Sequence, residues 1–390
     1  MHVEVQRLFD WLVDGGRGTK NPVELLDRLC PELVRAGVPV DGMGAFVRTL
    51  HPHVVGRSFH WHAGAKVSVR ENTYAYLNSD EFRQSAMAEV FRTGQPVRRR
   101  GAAGSRALLD LARPGVTDYL ALPLEFMNGE VHGIAFTTSA PGGFDASHVE
   151  ALSQIVRPLT RVGEIFALSR TAVNLLNTYV GRNAGERILA GHIQRGDTDS
   201  IRCVIWFSDL RGFTRMADSV APGVLIRTLN ELFDCQVPAI ERHGGEVLKY
   251  MGDGMLAIFP IVGDPASACE GAVTAAGEAF GNLAHQNAER AARGDPALAF
   301  GLALHLGDVA YGNIGGAGRL DFTCIGPAVN LASRIEGLAS KLGRDLLVSR
   351  DVAQHLNCPL VDLGEHELKG VAEPQRVFAL GQKPPATASP

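Results

Sequence analysis

Residues 203–207 read Cys-Val-Ile-Trp-Phe and are followed at once by Ser208-Asp209. An unbroken apolar run of that length, without polar alternation, suits a strand buried within a sheet. Asp209 then sits where the strand ends. Leu210-Arg211-Gly212-Phe213-Thr214 opens from that point toward a helix. A carboxylate at a strand end, beside free backbone N–H groups, is a suitable place for a metal-bound polyphosphate. Taken alone, Asp209 is equally an N-cap before a helix.

Two further stretches gain meaning beside the first. In GGEVLKYMGDGMLAIFP, the segments EVLKYM and MLAIF are strand-like, and Gly252-Asp253-Gly254 is a turn between them. Asp253 at a hairpin tip is an ordinary turn residue in isolation. Paired with Asp209 on an adjacent strand, it becomes half of a two-carboxylate metal site, enough for Mg²⁺ when phosphates complete the shell. In DFTCIGPAVNLASRIEGLA, a short strand gives way at Gly326-Pro327 to a helix, since Pro suits a first turn. Asn330 and Arg334 are four apart and share one face of that helix. An Asn that holds a sugar and an Arg that meets a reacting phosphate fit the arrangement, as do a surface Asn and a solvated Arg.

FSDLRGFT, GGEVLKYMGDGMLAIF and IGPAVNLASR, in this order and spacing, resemble the catalytic domain of class III nucleotidyl cyclases. The resemblance runs over residues 198–381 and implies a ferredoxin-like α/β sandwich. It implies roles position by position. Asp209 and Asp253 match the metal-binding aspartates, expected to hold two Mg²⁺ (or Mn²⁺) ions per site. Gly212, Phe213 and Thr214 fall in the substrate-binding turn. Lys249 matches the purine-selecting lysine of adenylate-specific members, where guanylate-specific members usually carry Glu, so ATP is the expected substrate. Thr323 stands where many members have a second purine-contacting Asp. Thr there is similar to the class IIIb subgroup, some of whose members respond to bicarbonate. Asn330 and Arg334 match the transition-state pair, and Lys369, in GEHELKGV, matches the triphosphate-binding lysine.

Physical logic supports the carry-over. Lys249 can donate to the N1 edge of adenine, and the Thr323 hydroxyl can donate or accept near N6. Guanine presents an N–H at N1, and a lysine facing it leaves buried polar groups unpaired, at about 1–3 kcal/mol each. The implied reaction is attack of the ribose 3′-oxygen on the α-phosphorus with loss of pyrophosphate, giving 3′,5′-cyclic AMP. In this family one domain supplies the Asp pair and another the Lys, Thr, Asn and Arg. One such domain carrying both sets implies a homodimer with two equivalent sites. The rivals are a guanylate cyclase and a catalytically silent nucleotide-binding regulator.

Upstream, Val3–Leu12 and Pro22–Ala36 have helical apolar spacing, and AFVRTL and VVGRSFHWH alternate like strands. SDEFRQSAMAEVFRTG reads as one helix ended by Gly94. YLALPLEFMNGEVHGIAFTTS is a hairpin around Met127-Asn128-Gly129. A long helix follows, capped by Asp145, which Pro158 should kink or divide. The order "YLALPL, turn, strand, GGF-D, long helix" resembles a GAF-type sensor domain over 1–165, implying a small-molecule regulator. A helical connector is expected over 166–197, broken at Gly181, and a flexible tail over 382–390. His51, His53, His60 and His62 cluster in HPHVVGRSFHWH. His60 and His62 share a strand face at a spacing that can bind a metal, though no Cys or paired acid completes a ligand set. A polar strand face beside buried Phe59 and Trp61 is the plainer reading.

Composition narrows the rest. The 390 residues suggest two or three domains at roughly 150 residues each. With 38 basic and 42 acidic residues the net charge is −4, which argues against a general nucleic-acid binder. No apolar run is long enough for a membrane span, and MHVEVQRLFDWLVDGG lacks a signal peptide's basic and apolar regions. Cys30, Cys203, Cys235, Cys269, Cys324 and Cys358 are scattered without a CxxC pair, so reduced thiols in a cytoplasmic protein are expected.

Overall fold

The computed structural model describes residues 3–101 and 115–381, so the expected tail lies outside the described residues. The chain divides after Thr178 into two compact units.

The first unit begins with α1 (Val3–Val13) and α2 (Pro22–Arg35), then β1 (Gly42–Arg48), β2 (Val54–His62) and β3 (Ser68–Thr73). Short helices α3 (Tyr74–Leu77), α4 (Asp80–Arg83) and α5 (Ala86–Thr93) lead to β4 (Val97–Arg100), β5 (Asp118–Glu125), β6 (Val131–Thr138) and α6 (Ala146–Val180). The strands form one antiparallel sheet in the order β3-β2-β1-β6-β5-β4. Strand alternation sorts its side chains onto two faces. Met43, Phe59, Leu122, Ile134 and Phe136 pack with α1, α2 and α6. Phe46, Tyr119 and Ala135 pack with Phe82 of α4 and Met87 and Val90 of α5.

Two local expectations need correcting. The segment around residues 79–94 is two helices, because Ser85 breaks off and caps α5 through the Ala88 N–H at 3.1 Å. The long helix is not divided at Pro158, which is buried inside it. Proline in a helix interior costs about 3 kcal/mol. Leu152, Ile155, Val156, Leu159 and Val162, buried on both sides of it, each contribute about 1.5–3 kcal/mol and outweigh that cost.

The second unit contains α7 (Arg182–Leu189), β7 (Thr198–Leu210), α8 (Phe213–Ala217), α9 (Pro222–Arg242), β8 (Glu246–Met251), β9 (Gly254–Pro260), α10 (Pro265–Arg293), β10 (Phe300–Gly316) and β11 (Arg319–Ile325). It closes with α11 (Pro327–Ala339), β12 (Leu346–Ser349), α12 (Arg350–Ala353), β13 (Leu360–His366) and β14 (Gln375–Leu380). The sheet order is β13-β14-β12-β10-β7-β9-β8, with β11 paired to β10. Its β10-β7-β9-β8 part, with α9 and α10 as crossovers, is the ferredoxin-like βαββαβ arrangement.

Val204, Trp206 and Phe259 face α9 and α10, packing on Cys235, Ala239 and Ala276. On the other face Cys203, Ile205 and Ile258 meet Ala328 and Ala332 of α11. There the buried Glu246 carboxylate accepts from Asn183 of α7 at 2.9 Å and from the Tyr311 hydroxyl at 3.0 Å, which seats α7 on the sheet. All six cysteines are free, and Cys358 alone is exposed. Among the described residues no helix is long and apolar enough to cross a membrane.

Candidate active site

Strand β7 runs through the middle of the second sheet, and Asp209 is its penultimate residue. Both of its ladder partners are glycines, Gly254 on β9 and Gly301 on β10. Side chains directly opposite one another share a face of the sheet. A Cβ at Gly254 would come within 3.1 Å of Asp209 Oδ1, and one at Gly301 would collide with Glu336 and Arg211. These bare positions leave the space in which charged groups converge.

Asp253 occupies the tight β8–β9 turn next to Gly254, as the hairpin reading placed it. Its charge bears directly on Asp209. Burial, then the charges of Asp253 and Glu336, push the Asp209 carboxyl up to about 7, while Arg211 pulls it down. Glu336 is itself buried, which raises its pKa against the pull of Arg211, 3.3 Å away. Three carboxylates thus meet one guanidinium, a local excess of negative charge. Among the described residues no group of three or more His, Cys, Asp and Glu side chains is placed to hold a metal ion.

Lys249 on β8 donates to Asp321 on β11 at 2.6 Å. Thr323, two residues along β11 and on the same side as Asp321, is buried, and its hydroxyl has no hydrogen-bond partner among the described residues. Asn330 and Arg334 are exposed on α11, and among the described residues neither side chain has a hydrogen bond or ion pair. Ala332 and Glu336 lie two residues beyond them, about 200° round the helix, on its buried side. Arg334 therefore points away from the side of α11 that faces Asp209. Gly212 adopts a left-handed φ of 74° and starts α8, with Phe213 half-buried and Thr214 exposed. Lys369 is exposed in the segment after β13, an edge strand of the sheet.

Sequence reasoning missed Glu336, Arg211 and Asp321. The signal for Glu336 was its spacing, four and eight residues beyond Ala332 and Ala328 on the buried helix face. Asp321 was marked only by sharing a strand face with Thr323. In the first unit, His51 Nδ1 accepts from the N–H groups of His53 and Val54, both at 3.2 Å, which gives that ring a structural use.

Along the chain, an antiparallel six-stranded sheet is followed by a ferredoxin-like sheet with Asp209 near the end of its central strand and Asp253 in a neighbouring turn. Residues 197–382 match the family described as adenylate and guanylate cyclase catalytic domain, and residues 19–162 match the GAF domain. The second unit has the fold of a class III cyclase catalytic domain, and the first that of a GAF domain. An adenylate cyclase of Anabaena cylindrica is 37% identical over 172 residues, 43% of this chain and 33% of that protein. Adenylate cyclase 1 of Rhizobium meliloti is 26% identical over 211 residues, 52% of this chain and 30% of that protein. The chain spans about a third of the length of these curated relatives. The crystal structure of the adenylyl cyclase CyaB from P. aeruginosa aligns with a TM-score of 0.44 at 23% identity, over 48% of this chain and 96% of that one.

Proposed function

We propose that the chain is an adenylate cyclase that converts ATP to 3′,5′-cyclic AMP and pyrophosphate at two shared sites of a homodimer, under control of its GAF domain. The observation that carries the shared site is the orientation of α11. Glu336 faces the chain's own carboxylate pair and Arg334 faces away, which supports assigning Arg334 to a nucleotide held by a second copy.

The carboxylate excess around Asp209 fits divalent cations. Two Mg²⁺ or Mn²⁺ ions per site, held by Asp209, Asp253 and substrate phosphates, would neutralise the triphosphate and acidify the ribose 3′-hydroxyl. The turn at Gly212, Phe213 and Thr214 flanks the phosphates of the same nucleotide. From the partner copy, Lys249 donates to adenine N1, held in place by Asp321, and the Thr323 hydroxyl supplies its unused bonding capacity to the N6 edge. Asn330 fixes the ribose for in-line attack, and Arg334 stabilises charge developing on the α-phosphoryl group. Lys369 binds the triphosphate tail.

Assays with ATP and GTP side by side, in Mg²⁺ and in Mn²⁺, test the reading. Cyclic AMP should form in excess over cyclic GMP, and Asp253→Ala should abolish turnover while the protein stays folded by circular dichroism. Preferred use of GTP, or near-normal turnover by Asp253→Ala, would overturn it.

A further inference from the structure

The first unit holds a cavity of about 410 Å³ between its sheet and helices α2 and α6. That is within the range of about 300–1,000 Å³ in which small-molecule sites fall. The opposite face of the same sheet is filled, leaving a void of about 20 Å³ beside Tyr76 and Met87. Space for a ligand therefore lies on the helical side.

The cavity wall is hydrocarbon and aromatic, with Phe59 and Ile134 from the sheet, Leu25 from α2 and Phe166 from α6. Its uncharged polar side chains are Asn21, Thr49 and Ser169, and the first two are already engaged. Asn21 caps α2 through the Glu24 N–H at 3.0 Å, and Thr49 accepts from Asn174 at 3.0 Å. That leaves only hydroxyl groups, from Thr49 and Ser169, as uncharged partners for a ligand. Among the described residues the charged side chains on the lining are cationic, Lys20, Arg48, Arg57 and Arg170. Arg48 turns its guanidinium onto the Phe91 ring at 5.5 Å, and Arg57 pairs with Glu71. Arg170 is exposed at the cavity and makes no ion pair or hydrogen bond among the described residues; partial burial and neighbouring Arg57 lower its pKa, against the pull of Glu71. An anion would relieve that repulsion.

Gly163 lies on the cavity wall within the 35-residue α6. A Cβ there would meet nothing within 4 Å. Glycine within a helix is unfavourable relative to alanine, so packing within this unit gives no reason for it, whereas an open cavity does.

We infer that this cavity binds an amphipathic monocarboxylate, a fatty-acid-like molecule whose hydrocarbon body fills the apolar space against α6 and whose carboxylate meets Arg170 and Arg57. The site needs no nucleotide chemistry, and its test reads binding, so it stands or falls apart from the cyclase reading.

The test is calorimetric titration of the full chain with dodecanoate below its micelle concentration, alongside hexanoate, dodecanol and dodecyltrimethylammonium. Dodecanoate should bind at one site per chain, with affinity rising about fourfold per added CH₂ until the cavity is full. The cationic analogue should not bind. Gly163→Leu, which fills the space, should abolish binding while circular dichroism stays unchanged. Arg170→Gln should weaken dodecanoate about tenfold and leave dodecanol unaffected. Ala167→Leu, on the same wall, is the second filling variant should Gly163→Leu fail to fold. The proposal is overturned if the folded filling variants still bind dodecanoate, or if the cationic analogue binds equally well. It also falls if wild type shows no saturable binding, including the case where filling alters only the oligomeric state, which would make the cavity an interface between copies.

Discussion

Mixing two inactive variants gives the sharpest check on the shared site. Asp253→Ala removes a carboxylate from one half of each site, and Arg334→Ala removes the cation from the other half. Each homodimer then has two damaged sites. Loss of one electrostatic stabiliser typically costs about 10²–10³ in turnover, so each variant alone should run near background. If subunits exchange freely at equal concentration, about half of the dimers are mixed. Such a dimer concentrates both lesions in one site and leaves the other intact. Cyclic AMP formation should therefore recover to about a quarter of wild type per total protein, and no further. The measurement is a turnover assay after co-incubation, with mixed dimers verified by differential tags and pull-down. If verified mixed dimers stay at background, Arg334 and Asp253 act on the same nucleotide within one chain. The orientation argument drawn from Glu336 would then be wrong.

Asp321→Asn keeps the size of the residue but removes the charge that holds Lys249. The kcat/KM for ATP should fall about tenfold, as for loss of a charge-assisted hydrogen bond, with a smaller effect on GTP. Equal losses for both nucleotides would remove Asp321 from purine selection. In the first unit, fully buried His132 accepts from the Arg48 N–H at 3.2 Å, which requires a neutral ring. Burial lowers its pKa from 6.5 to about 4, with Arg48 adding to the effect and Glu130 and Glu164 opposing it. Because the folded pKa is the lower one, its contribution is complete above pH 6.5 and is lost as pH falls toward 4, at a cost of about 3 kcal/mol. Melting curves between pH 7 and 4 should show this loss in wild type and a reduced slope in His132→Gln. Parallel pH profiles would refute the assignment.

The parts of the fold that were legible in sequence are those set by local chemistry. The hairpins at Asn128-Gly129 and Gly252-Asp253-Gly254, the Pro327 helix start and the helix end at Val180 all follow from backbone preferences of the residues present. The helix is not divided at Pro158 because its continuity there is decided by distant apolar partners, which outweigh a local penalty. The two carboxylates were legible because strand ends and turn tips can be counted along the chain. Glu336 and Asp321 were not, since each is defined by what lies across from it, Arg211 in one case and Lys249 in the other. The cavity against α6 was invisible for the same reason. Its one mark in the chain, Gly163, reads as an unremarkable small residue until the surrounding walls are known.

Helix α11 carries charge on two opposite edges, Glu336 inward and Arg334 outward. In a paired assembly it behaves as a tie rod, its inner edge trimming one reaction centre while its outer edge reaches the neighbour. Under the proposed shared site, a displacement of that rod would reach both centres. Under the proposed pairing, the two turnovers would therefore be coupled through α11.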